Sequence, residues 1–154
     1  MSHRLLAAAG LGAVTGLRSM SGLALASREL AERPSGDIDA FRRWLADDTV
    51  STVLTGLAIA ELAADKLPEV PDRVDPAPLV ARGVLGAAVG AIAAGEERWA
   101  AGAAIGATTA VLSAWVGWAV RKEAGWATGL PDPILAVMED AIAIATGRGS
   151  AELL

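Results

Sequence analysis

Long stretches of this chain carry no charge at all. Residues 5–17, 50–60, 83–95, 99–120 and 141–146 contain no Lys, Arg, Asp or Glu, and the charged residues collect mainly between them. Apolar runs that approach 20 residues, separated by charged connectors, are what a bilayer demands of its helices. The pattern predicts an all-α, polytopic membrane protein with about five short, Gly/Ala-rich transmembrane helices, read as one integral membrane domain over residues 1–154. The predicted helices cover 4–31, 48–67, 79–95, 99–120 and 131–147.

Local signals mark their ends. Ser19-Met20-Ser21-Gly22 is a place for the first helix to bend or break. Pro34-Ser35-Gly36-Asp37 reads as a turn, and Asp37 or Asp39 can cap a helix beginning there. Residues 40–46 suit a short amphipathic helix on the membrane surface, or an ordinary loop helix. Pro68 stops the second helix, and the prolines at 68, 71, 76 and 78 stiffen the connector after it. Only Glu96-Glu97-Arg98 separates the third and fourth helices, so these form a tight antiparallel hairpin. Pro131 and Pro133 open the fifth, where the first N–H groups lack helical partners anyway. The third and fifth are short for a full crossing and suit tilted or re-entrant segments. Glycine segments leading to acidic, proline-flanked helices occur twice, which suggests two weakly related halves.

Composition sharpens this picture. The hydrophobic fraction is 53%, yet aromatic residues make up only 4%, so the apolar content is mostly Ala, Leu, Val and Ile, diluted by 17 glycines. A soluble Ala-rich bundle is the alternative, and the 20% charged content keeps it open. The segment 99–120 weighs against it, having no charge and three Trp at 99, 115 and 118. Arg4, the following apolar run and Ala24-Leu25-Ala26 resemble a signal peptide, but Arg18 interrupts the run, and an uncleaved first helix is the better reading. With no cysteine there is no disulfide, thiolate metal site or cysteine nucleophile, and His3 is the only histidine. No catalytic residue, metal site or cofactor is expected, and an enzyme is disfavoured. The net charge of −5 weighs against nucleic acid as a partner.

Two sets of residues stand out. Gly12/Gly16, Gly86/Gly90 and Gly102/Gly106 have the small-xxx-small spacing that lets helix backbones approach closely. The second set is charged. Glu61 and Asp65 are four apart on one helical face, with Lys66 beside Asp65. Arg18 interrupts the first helix and Glu139-Asp140 the fifth. Counting depth along five crossings, Glu139 matches Arg18 best and Glu61 next. Charges at membrane depth are costly unless paired, so Arg18, Glu61, Asp65, Lys66, Glu139 and Asp140 form a candidate polar binding site, or else a set of structural staples. The same five-crossing topology puts Asp65, Lys66, Arg82, Arg121, Lys122 and Asp132 at a mouth on the N-terminal side. Lys and Arg outside the membrane then divide six and six between the sides (Arg4, Lys66, Arg73, Arg82, Arg121, Lys122 against Arg28, Arg33, Arg42, Arg43, Arg98, Arg148), so charge bias sets no orientation.

Three of these pieces together resemble a known family: Gly16-Leu17-Arg18-Ser19, Glu61-Leu-Ala-Ala-Asp65-Lys66-Leu67-Pro68, and Arg82 opening a Gly/Ala-rich helix. The family is that of small bacterial membrane proteins catalogued as domain of unknown function 4126. Its members often have Pro after the Arg of the first element, where this chain has Ser19. The resemblance implies a multi-pass protein of the bacterial inner membrane and no established activity. The leading expectation is a transporter or permeation protein with an intramembrane charged site. It would be a homo-oligomer in the lipid bilayer, with an unknown small-molecule or ion substrate. The alternative is a structural or assembly protein.

Overall fold

The computed structural model describes residues 3–33, 39–64 and 74–154. Among them the regular elements are all helical: α1 (His3–Leu17), α2 (Ser21–Glu32), α3 (Ala40–Leu45), α4 (Asp48–Ala64), α5 (Pro76–Ala94), a 3₁₀ turn (Glu96–Arg98), α6 (Trp99–Thr128) and α7 (Asp132–Ala151).

The centre is built from glycine and alanine. A Cβ built on Gly86 would lie 2.6 Å from the Gly106 carbonyl oxygen, and one on Gly90 would lie 2.9 Å from Gly106 Cα. From α1, a Cβ on Gly12 would lie 2.6 Å from that same oxygen, and one on Gly16 would lie 2.8 Å from the Ala110 carbonyl carbon. So α1 and α5 both seat their glycines against α6, backbone to backbone, at separations no larger residue permits. Ala7, Ala8, Leu11, Ala26, Val89 and Ala93 complete the buried core. Many larger apolar side chains point the other way: Val53, Leu57, Ile59, Val84, Leu112, Trp115, Val116, Val137, Met138 and Ile142 are exposed.

The first predicted helix is not one crossing. It breaks at Arg18–Met20, and α2 folds back alongside α1. Gly22 packs on Thr15 and the Leu11 carbonyl, and Val14 and Leu25 both touch Gly147, so they lie at one depth. The pair is a helical hairpin whose 15-residue first arm is about 22 Å long. Several expectations shift with it. Residues 4–31 reverse at 18–20, so the ends of α5, α6 and α7 that carry Arg82, Arg121, Lys122 and Asp132 gather at the end of the bundle opposite the N-terminus, not beside it. The fourth predicted helix does not stop at 120: α6 runs 30 residues to Thr128 and ends on Gly129 in the left-handed conformation (φ 68°). Charges at 121–123 did not end it, because charge is not a helix breaker and a left-handed glycine is a stop. Likewise α7 runs past Gly147 to Ala151. Among the described residues, two helical segments, Pro76–Ala94 and Glu96–Thr128, are long and apolar enough to cross a membrane, fewer than the five short spans expected. The surface segment 40–46 does form a helix, α3, capped by the Asp39 carboxylate, which accepts from the Arg42 N–H at 2.7 Å.

Candidate functional site

The tip of the hairpin is where the intrahelical charges meet. A break leaves backbone N–H groups without helical partners. Here those of Ser19 and Met20 donate to the two carboxylate oxygens of Glu61 on α4, at 2.7 and 2.8 Å. Glu61 thus caps α2 from a distance of some 40 residues in sequence, and its charge faces the positive end of that helix. The carboxylate is therefore engaged by backbone, not by Arg18 as the second-ranked expectation had it.

Arg18 is 1% exposed. Its Nε donates to Asp140 Oδ1 at 2.5 Å, and its Nη1 reaches the Leu17 carbonyl at 3.3 Å. Its Nη2 lies 3.7 Å from Glu139 Oε2. The depth argument favoured Glu139 as partner. The structure gives the hydrogen bond to its neighbour Asp140 and leaves Glu139 at ion-pair range. Arg121 of α6 approaches the same Glu139 oxygen at 3.5 Å and forms a two-pronged pair with Asp132, its Nε donating to Oδ1 at 2.7 Å. Two guanidiniums therefore bracket one carboxylate oxygen, and exposure falls steadily inward: 70% for the Asp132 side chain, 18% for Arg121, 12% for Glu139 and 2% for Arg18. The arrangement is a charged cluster that runs from the exposed Arg121–Asp132 pair inward to the buried hairpin tip.

Of the sequence-derived site residues, Arg18, Glu61, Glu139 and Asp140 converge here. Asp65 and Lys66 lie outside the described residues. Gly12, Gly16, Gly86, Gly90, Gly102 and Gly106 form the packed seam above the tip. Sequence reasoning left Arg121 in a connector and missed its part in the cluster. Its 11-residue separation from Asp132 spans a helix end and a proline turn, so no helical periodicity links the two. Arg82, also buried, lies towards the same end of α5. Among the described residues, no three His, Cys, Asp or Glu side chains gather in a metal-holding arrangement.

The model of a family described as a domain of unknown function (DUF4126) matches residues 5–147. The chain belongs to that family. The match takes in the hairpin tip, Arg121, Asp132 and the Glu139–Asp140 pair, so the whole charged cluster lies inside the family's region. No curated protein and no solved structure matches this family member.

Proposed function

We propose that this family member is a multi-pass membrane protein whose re-entrant hairpin tip forms a polar permeation or substrate-binding site, open to one face of the bilayer. The membrane part of the reading is supported by the inside-out distribution of side chains. Glycine and alanine fill much of the interior while many Val, Leu, Ile and Trp side chains face outward, an arrangement suited to lipid and adverse in water. Only 17% of the apolar window in α6 is buried, whereas the core helix of a soluble protein is mostly buried.

One observation carries the site reading: a backbone break within the apolar part of the bundle, with its amides and its arginine answered by carboxylates from two other helices. Irregular backbone at membrane depth is tolerated where it is buried in protein or lines a wet cavity, and broken helices of this kind hold substrates in transporters. The competing reading is a staple. It is favoured by the completeness of the pairing, since Arg18, Glu61, Glu139 and Asp140 all have partners within the chain.

The deciding experiment is flux. Liposomes holding the purified protein, loaded with KCl, are assayed for K⁺ and Cl⁻ release and for internal pH with a trapped dye. Under the site reading, protein liposomes leak one of these ions faster than empty ones, and Glu139→Gln abolishes the difference in folded protein. Empty-liposome rates for all three ions leave the staple. Self-association belongs to the same proposal and is read from the native mass of the solubilised protein.

A further inference from the structure

At the opposite end of the bundle, a groove of about 650 Å³ runs between α3 and the last turns of α5, as far as the turn before α6. Its volume is within the range of small-molecule sites. Ala88 and Ala91 form an apolar floor, and Phe41 and Trp99 flank it, both more than half exposed. Phe41 also stacks on exposed Trp44 with ring centroids 5.7 Å apart. Aromatic rings gathered beside the turn between two membrane-length helices are typical of the level of lipid headgroups.

The polar rim carries both signs. Arg42 is 5% exposed; its Nε donates to the Ile92 carbonyl at 2.9 Å and its Nη2 to that of Ala93 at 3.2 Å, both in the last turn of α5. Arg4 reaches the same corner from α1, its Nη1 lying 3.0 Å from where a Cβ on Gly95 would stand. Burial first, and the Arg4 charge second, push the Arg42 pKa down, while Asp39 at 4.0 Å opposes this. Two guanidiniums thus share a corner in which Asp39 stands only at the edge of ion-pair range, and with the Arg42 Nε and Nη2 given to carbonyls, its Nη1 and the Arg4 guanidinium are the donors left for a phosphate. Asp39 and Glu96 line the same groove.

We propose that this groove binds one phospholipid with an amine-bearing zwitterionic headgroup. An acyl chain lies along the alanine floor between Phe41 and Trp99, the phosphate sits between Arg4 and Arg42, and the ammonium faces Asp39 and Glu96. The match of two basic and two acidic groups to one zwitterion, over an apolar floor, distinguishes this occupant from a peptide or a purely anionic lipid. The inference rests on the membrane reading above and is separate from the charged cluster.

The test uses the full chain in detergent, with native mass spectrometry after addition of phosphatidylethanolamine or phosphatidylglycerol. The expected result is one tightly retained phosphatidylethanolamine and weaker phosphatidylglycerol binding. Ala91→Phe, which fills the floor without touching a charge, weakens retention about tenfold, a loss of about 1.4 kcal/mol. Arg42→Gln does the same if it folds. Brominated acyl chains quench a tryptophan signal that Trp99→Phe removes. Equal retention by Ala91→Phe, equal binding of the two lipids, or quenching unchanged in Trp99→Phe each overturns the site. Fractionation of the cell separates the two failures: a chain found with membranes that retains no lipid refutes only the groove, while a chain in the aqueous fraction refutes the membrane reading.

Discussion

Arg18 is the residue on which the hairpin tip turns. It is buried beside two carboxylates, and a buried pair loses about 3–5 kcal/mol when one partner alone is removed, because the other charge is stranded. Asp140→Asn is therefore expected to destabilise the solubilised protein by about that much, and Arg18→Met with Asp140→Asn together by less than the sum of the singles. A double-mutant cycle read by thermal unfolding in detergent gives the coupling, expected at about 1–3 kcal/mol for Arg18–Asp140 and smaller for Arg18–Glu139, whose contact is 3.7 Å against 2.5 Å. Additive effects would mean that Arg18 is satisfied by water. Glu61 makes a different prediction. Glu61→Gln keeps one oxygen acceptor and sets its NH2 against the other tip amide, at about 1–3 kcal/mol, whereas Glu61→Leu strands both N–H groups at about that cost each.

Among the elements, the seam of α1, α5 and α6 depends on glycine for distance and not for flexibility. Gly86→Leu or Gly90→Leu must push α5 off α6, since even a Cβ meets backbone there. A loss of about 1–3 kcal/mol or more is expected from such overpacking. Gly56 supplies the control: a Cβ there meets nothing within 4 Å, so Gly56→Ala should be neutral or stabilise α4 by about 0.5–1 kcal/mol. Equal melting temperatures for Gly90→Leu and Gly56→Ala would show that the seam has room to spare. The glycine spacing was legible in the sequence because i and i+4 share a helix face. Which helix each face meets was not. In particular, Gly12/Gly16 and Gly86/Gly90 converge on α6 from two sides.

For the whole molecule, the hairpin sets the topology. It brings the end of α2, α3, the 3₁₀ turn and the end of α7 to the side of the N-terminus, with the α6–α7 turn on the other. The absence of cysteine makes this directly testable with single-cysteine variants and a membrane-impermeant maleimide. Glu32→Cys and Glu97→Cys should label from one side and Thr128→Cys from the opposite side. Labelling of Glu32→Cys together with Thr128→Cys would restore a crossing first helix. The fold also changes the charge balance. Arg4, Arg28, Arg33, Arg42, Arg43, Arg98 and Arg148 now share one end, against Arg82, Arg121 and Lys122 among the described residues at the other. The positive-inside rule then predicts that the N-terminal end faces the cytoplasm, so Glu97→Cys should be protected in intact cells.

The sequence by itself determined the helical class, the family, the glycine faces and the residues whose charge needs a partner. Each of these is local: hydropathy, i to i+4 spacing and short motifs are properties of neighbouring residues. It also marked Ser19-Met20-Ser21-Gly22 as a weak point. Only the tertiary structure decided that the chain reverses there, because a break and a bend share the same local signal and the choice depends on what receives the exposed amides. Glu61 receives them, from a helix that the sequence leaves free in depth and rotation. The reversal put the charged cluster at the end opposite the N-terminus and gave Arg18 to Asp140. It also brought Arg121 onto Glu139, since ion pairs between helices depend on packing depth to within an ångström or two, a precision that residue counting lacks.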